Sequence, residues 1–166
     1  KKQDMIYFSG ITLAILDPSS RSNLFACLKS ASRAGKKIAF DPNLRPKLWS
    51  DKKEMCDVIM AGANLSDIIL PSFEDEATWF SDADPMSTLH RFHRAGAETV
   101  VVKNAGEPVS FISNHGIGTH PVECIEEVID STAAGDSFNS EILVGILRRI
   151  PLSEAISNGV KLAKKV

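Results

Sequence analysis

Short apolar runs alternate along this chain with stretches in which apolar residues recur every three or four positions. Met5–Phe8 is a run closed by Gly10 and reads as a buried strand. Asp17 and Pro18 then open a helix with Leu24, Leu28 and Ala31 on one face, and Gly35 closes it where a positive φ is needed. Lys37–Asp41 is the next strand, followed by a loop from Pro42 to Pro46. Asp51 with Glu54 forms a capping-box pattern ahead of a helix carrying Met55, Val58 and Ile59. Asp67–Leu70 is a third strand, and Pro85 fits the first turn of a later helix with Leu89 and Phe92 inward and Gly96 past its end. Thr99–Val102 is the strongest β-branched run. After it the pattern shortens. Val109–Ile112, Gly118–Val122 and Cys124–Ile129 read as strands separated by turns. Phe138, Ile142 and Ile146 mark a helix from about Gly135 to Arg149, Pro151 breaks it, and Ser153 starts the last one.

Strands alternating with helices predict a three-layer α/β/α domain with a mainly parallel sheet and helices on both faces. In such sheets ligands gather beyond the carboxyl ends of the strands. The loops after Phe40, Leu70, Val102 and Ile129 are therefore expected on one rim.

Composition narrows the class. The chain has 166 residues, enough for one domain spanning 1–166. Its net charge of -2 offers no basic surface for nucleic acid. No apolar run approaches the roughly 20 residues of a membrane span, and Lys1–Asp4 is neither signal peptide nor targeting helix. Cys27, Cys56 and Cys124 match no disulfide framework or zinc spacing, so each is expected as a small buried residue in a reducing, cytoplasmic setting. The chain opens without methionine directly before a strand and stops at Lys164–Val166 inside a helical pattern, as an incomplete chain would.

The chemistry centres on Ile129-Asp-Ser-Thr-Ala-Ala-Gly-Asp-Ser-Phe138. Small residues between a strand and a helix let a ligand approach the backbone. The free amides of Ala134, Gly135 and Asp136, with the positive end of the helix dipole behind them, would cradle an anion. A carboxylate there repels phosphate, so Asp136 makes sense as a base that takes a proton from an attacking hydroxyl. The plain alternative is a capped helix whose Asp suits the dipole. His90 and His93, three apart on a helix, lack a third ligand of fitting spacing, and Trp49 and Trp79 read as packing residues.

The spacing Asp-x-x-Ala-Ala-Gly-Asp-x-x-x-Ser closely resembles the second signature of the ribokinase (PfkB) family of carbohydrate kinases. Carried over residue by residue, the resemblance implies Asp136 as general base, the amides of Ala133, Ala134 and Gly135 as anion hole, and Asp130 on the substrate. Glu141 departs from the family's usual small residue. Tyr7–Ile15 and Phe40-Asp-Pro-Asn-Leu-Arg-Pro-Lys-Leu-Trp49 are similar to the 2-keto-3-deoxygluconate kinases. That likeness places Arg45 at the acid end of a sugar acid or near the phosphates, with Asn43 in support; a bidentate guanidinium suits either group. Fructokinases share part of the pattern. Leu70–Glu76 stands where relatives have Asn-x-x-Glu, with Ser72 for the Asn and Asp75 or Glu76 for the acid that reaches Mg2+ through water. Lys103, Asn104 and Gly106 correspond to the loop under ATP, although Ala105 and Pro108 stand at or near expected glycines, and Asn158 matches a position by the adenine. The resemblance thus implies ATP and Mg2+, a small-molecule sugar acid as partner, and a homo-oligomer as an option in the full-length protein. Relatives are about twice as long, their first half holding the sugar-binding Gly-Gly region and the β lid. The resemblance therefore implies that residues 1–166 are the carboxyl-terminal, nucleotide-binding and catalytic part of a ribokinase-like domain. Since closure completes such sites, residues 1–166 alone are expected to phosphorylate poorly or not at all. A non-catalytic module binding an anion or a partner is the competing class. No Gly-x-Gly-x-x-Gly follows an early strand, which argues against a dinucleotide oxidoreductase.

Overall fold

A computed structural model describes residues 4–122 and 131–165. Strand order in its six-stranded sheet follows chain order, β1-β2-β3-β4-β5-β6. Strands β1 (Met5–Ser9), β2 (Lys37–Asp41), β3 (Ile68–Ile69) and β4 (Thr99–Val102) are parallel neighbours, with Tyr7 beside Ala39, Ala39 beside Ile68 and Ile68 beside Thr99. Strands β5 (Val109–Ser113) and β6 (Gly116–His120) complete an antiparallel meander, so the sheet is mixed.

Alternation of side chains along the strands sorts the core into two layers. Phe8, Ile38, Phe40, Ile69, Val100 and Val102 face one way, onto Leu13, Leu28, Met55, Ile59, Leu89 and Phe92. These come from helices α1 (Gly10–Ile15), α2 (Pro18–Arg33), α3 (Lys52–Ala63) and α5 (Pro85–Arg94). Ala39, Ile68 and Val101 face the other way, onto Phe138 and Ile142 of α6 (Ser131–Leu147) and Ala155 and Ile156 of α7 (Leu152–Ala163). Each fully buried large side chain stabilises the fold by about 1.5–3 kcal/mol. Gly145 and Gly159 let α6 and α7 approach. A Cβ on Gly145 would lie 2.5 Å from that of Ala155, and one on Gly159 would lie 2.9 Å from the Phe138 ring.

The expected helices after Asp17 and Pro85 form with Asp17 and Asp84 as N-caps, and Gly35 and Gly96 take positive φ beyond their ends. Several details differ from expectation. Gly10 does not simply end a strand: Ser9 and Thr12 close a capping box that starts the short α1. Asp51 caps α3 by accepting from the Lys53 amide, but Glu54 does not close a box and pairs with Arg21 at 2.8 Å instead. Strand β3 shrinks to two residues, and β6 runs two residues earlier than its pattern suggested. Cys27 is exposed on α2, not buried; Cys56 is half-buried, and Cys124 with the expected strand to Ile129 lies outside the described residues. Trp49 and Trp79 pack at the core edge under Arg21 and Lys52.

Candidate active site

Four parallel strands, β1 to β4, that end side by side bring their following loops to one rim. Period-two alternation then decides which side chains point under α6. Ala39 and Val101 face α6 and α7, so Asp41 and Lys103, two residues further on, face the same way. Tyr7, two after Met5, joins them from β1. Lys103 is held at its backbone by pairing beyond β4: its amide donates to the Pro71 carbonyl and its carbonyl accepts from Phe73.

These residues converge on Asn139 of α6. The Lys103 ammonium donates to Asp41 Oδ2 at 3.0 Å and to Asn139 Oδ1 at 3.2 Å. Asn139 Nδ2 donates to the same Asp41 oxygen at 2.6 Å and to the Tyr7 hydroxyl at 3.4 Å. Asp41 Oδ1 accepts from the Asn43 amide at 3.1 Å. Asp41 and Asn139 are buried. The ion pair is therefore compensated by hydrogen bonds on every side, as a buried pair requires. Burial, and after it the Asp41 charge, push the Tyr7 hydroxyl up to about 12 against the hydrogen bond from Asn139, and the Asp136 charge adds to the rise.

Asp136 lies one helical turn before Asn139 and is exposed. Helix α6 is already under way at Ser131, about a turn earlier than the sequence suggested. The first amides of a helix are the ones without intrahelical partners. The amides open to an anion are thus those nearest Ser131–Ala133, while Gly135 and Asp136 stand in the second turn. The side chain of Ala133 and all of Asp130 lie outside the described residues.

Beside this cluster, Asn43 adopts φ 32° as the loop turns outward. Arg45 is exposed and donates to the Leu44 carbonyl at 3.0 Å. Asp75 lies half-buried against that loop. Burial raises its carboxyl above the ordinary value, opposed by the Arg45 charge and the Leu44 amide and reinforced by Glu74 and Asp41. Asn104 accepts from the Glu107 amide in the β4–β5 turn, where Ala105 (φ 41°) and Gly106 (φ 90°) are both left-handed. Asn158 is half-buried on α7.

Two expected ligands are turned elsewhere. Lys103 points under α6 into its ion pair, not outward toward a phosphate. Glu76 is fully buried, and its Oε2 accepts from Arg91 of α5 at 2.7 Å while its Oε1 has no partner. Arg91 also pairs with Asp82 at 2.6 Å and lies 4.0 Å and 4.3 Å from the Phe80 and Phe92 ring centres. Successive helical residues point about 100° apart, so Asp75 meets the rim and Glu76 the core. Burial pushes the Glu76 carboxyl up to about 8, more than the Arg91 charge can offset. Burial also opposes the charge on Arg91, but the hydrogen bonds it donates to Asp82, then the Glu76 charge, hold it above its ordinary value. The two shifts agree with one guanidinium shared by two acids. Among the described residues no group of three or more His, Cys, Asp or Glu could hold a metal ion directly, and His93 Nδ1 is engaged with the Ala97 carbonyl at 2.9 Å.

Reading the sequence did not single out Tyr7, Asp41 or Asn139 as site residues. The signal was present in the alternation, which puts positions 7, 41 and 103 on one sheet face.

Comparison with known proteins decides the family. The pattern of the pfkB family carbohydrate kinases matches residues 1–166. The chain belongs to this family. It is 37% identical over 163 residues to the 2-dehydro-3-deoxygluconokinase of Haemophilus influenzae, covering 96% of this chain and 52% of that protein. It is 32% identical to the fructokinase of Vibrio alginolyticus, covering 89% of this chain and 47% of that one. Among family structures, the aminoimidazole riboside kinase of Salmonella enterica, complexed with aminoimidazole riboside and an ATP analogue, superposes with a TM-score of 0.82. It is 24% identical, with 98% of this chain and 56% of that chain covered, and the likeness shows the fold. The chain spans about half the length of the curated relatives it matches.

Proposed function

We propose that this chain is the catalytic part of an ATP-dependent sugar kinase whose acceptor is a sugar acid of the 2-keto-3-deoxygluconate type. The observation that carries the reading is an exposed carboxylate, Asp136, one turn above a buried polar cluster at the carboxyl ends of β1, β2 and β4. The 2-dehydro-3-deoxygluconokinase relative supports the acceptor. Asp136 takes the proton of the terminal hydroxyl. That oxygen bonds to the γ-phosphorus, the bond between the γ-phosphorus and the bridging oxygen breaks, and ADP leaves with the electron pair. The open amides at the start of α6, nearest Ser131–Ala133, stabilise the charge on the transferring group. Arg45, exposed on the loop after β2, holds the carboxylate of the sugar through a planar two-point contact, with Asn43 in support, and Asp130 is a further substrate ligand by resemblance to the family. The turn at Asn104 and Gly106, with Asn158 on α7, receives the nucleotide. Asp75 would reach Mg2+ through water, and the ion would neutralise phosphate charge.

A fructokinase reading has support from the Vibrio relative. The two separate on substrate: ATP consumption by the full-length protein is measured against 2-keto-3-deoxygluconate and fructose. Asp136→Asn should lower kcat by about 10²–10⁴-fold, the usual contribution of general base catalysis. Undiminished turnover in this variant would remove Asp136 as base, whereas no ATP consumption by the wild-type full-length protein with either sugar would favour a non-catalytic module.

A further inference from the structure

We infer that Asn139 is a positioning residue for this reaction: its buried amide locks the Asp136 turn of α6 onto the Asp41–Lys103 ion pair and so fixes where the base stands. The inference rests on reading Asp136 as the base.

The amide of Asn139 has only one workable orientation. Its oxygen faces the Lys103 ammonium at 3.2 Å, and its nitrogen faces the Asp41 carboxylate at 2.6 Å. Flipping it would set N–H against a cation and carbonyl oxygen against an anion. The side chain therefore reads the polarity of the ion pair, and Tyr7 takes its second N–H. Contacts from β1, the end of β2 and the residue after β4 thus meet on one helical position. The other anchors of α6, Phe138 and Ile142, are apolar. Such contacts set the distance of the helix from the sheet but are non-directional. Hydrogen bonds to two opposite charges add a fixed register along the sheet. Asp136 is three residues earlier on neighbouring helical surface, so any slip at Asn139 carries over to the carboxylate.

Asn139→Asp in the full-length protein tests this. The new carboxyl would face Asp41 at hydrogen-bonding distance. Two carboxylates so close share one proton until the pH rises above the ordinary carboxylate range, with the Lys103 ammonium beside them easing the second ionisation. When protonated it still donates to Asp41 and holds the turn; when ionised it repels. Expected is a kcat near wild type at low pH that falls about tenfold or more as pH rises, through an ionisation absent from the wild-type profile, with both KM values within about threefold. Asn139→Leu, without hydrogen bonds, should lose kcat at every pH and speed hydrogen exchange of amides in the first turns of α6. A wild-type pH profile in N139D, or unchanged exchange in N139L, overturns the inference. So do losses confined to KM. Asp136→Asn run alongside separates the two readings. Turnover retained in D136N sinks the base assignment itself, whereas an inactive D136N beside a wild-type-like N139D sinks only the positioning role.

Discussion

Glu76→Gln should make the protein less sensitive to alkaline pH, although it removes one half of a buried ion pair. Glu76 is fully enclosed between α4 (Phe73–Phe80) and α5, with Oε1 unpartnered. Arg91 must serve both Glu76 and Asp82, so the cluster is neutral only when one of the acids is protonated. Burial raises Glu76 from 4.5 to about 8. Its contribution is therefore fully present below about pH 4.5 and is lost as pH rises through about 8. The slope is at most about 1.4 kcal/mol per pH unit across that window, and less after relaxation around the site, so a net loss of a few kcal/mol is expected. Gln keeps the shape and the acceptor for Arg91, leaves Asp82 as its counter-ion and does not titrate. Urea unfolding followed by tryptophan fluorescence at pH 5.5 and 8 measures the difference, with Trp79 on the same helix as reporter. Asp75, also raised by burial, contributes a slope of the same sign to both proteins and cancels in the comparison. Cys56, raised from 9.0, titrates above the window. Equal pH slopes in the two proteins would refute the reasoning. A variant about 1 kcal/mol or more less stable at pH 8 would also refute it, by showing that the ionised pair is a net stabiliser.

Two further substitutions probe the backbone near the rim. A Cβ on Gly10 would lie 1.8 Å from the Pro42 carbonyl oxygen, so Gly10→Ala must displace the loop between Asp41 and Asn43; a loss of about 1–3 kcal/mol in thermal unfolding and a fall in kinase activity are expected. Ala105 holds φ 41° next to Gly106, so Ala105→Gly should stabilise by up to about 1 kcal/mol in the same measurement, the relief of left-handed strain exceeding the entropy glycine adds to the unfolded chain.

How much was legible in the sequence depended on the range of the physics involved. Asp17 with Pro18, and Asp84 with Pro85, announce helix starts because capping acts within a few residues. The parallel run β1–β4 could be read from apolar runs separated by helical periods. Helix α1 was missed because Gly10 looks like a terminator, whereas its missing side chain serves the close approach of Pro42. Asp75 and Glu76 are adjacent acids, and only packing against α5 decides which one is swallowed by the core. Lys103 reads as a free cation at a strand end because its two partners are 62 and 36 residues away. Motif spacing pointed to Asp136, but the buried support beneath it depends on contacts that no local window contains.

Strand order that copies chain order also has a kinetic meaning. Each strand pairs with its sequence neighbour, so the sheet can grow by successive short closures. The bonds from Asn139 to Asp41 and Tyr7 span 98 and 132 residues, and long-range closures are the slow ones. The seating of α6 on the sheet is thus expected late in folding, which pulsed hydrogen exchange during refolding would check. On the reading of Asp136 as the base, a growing chain would pair its parallel strands before that carboxylate is seated over them.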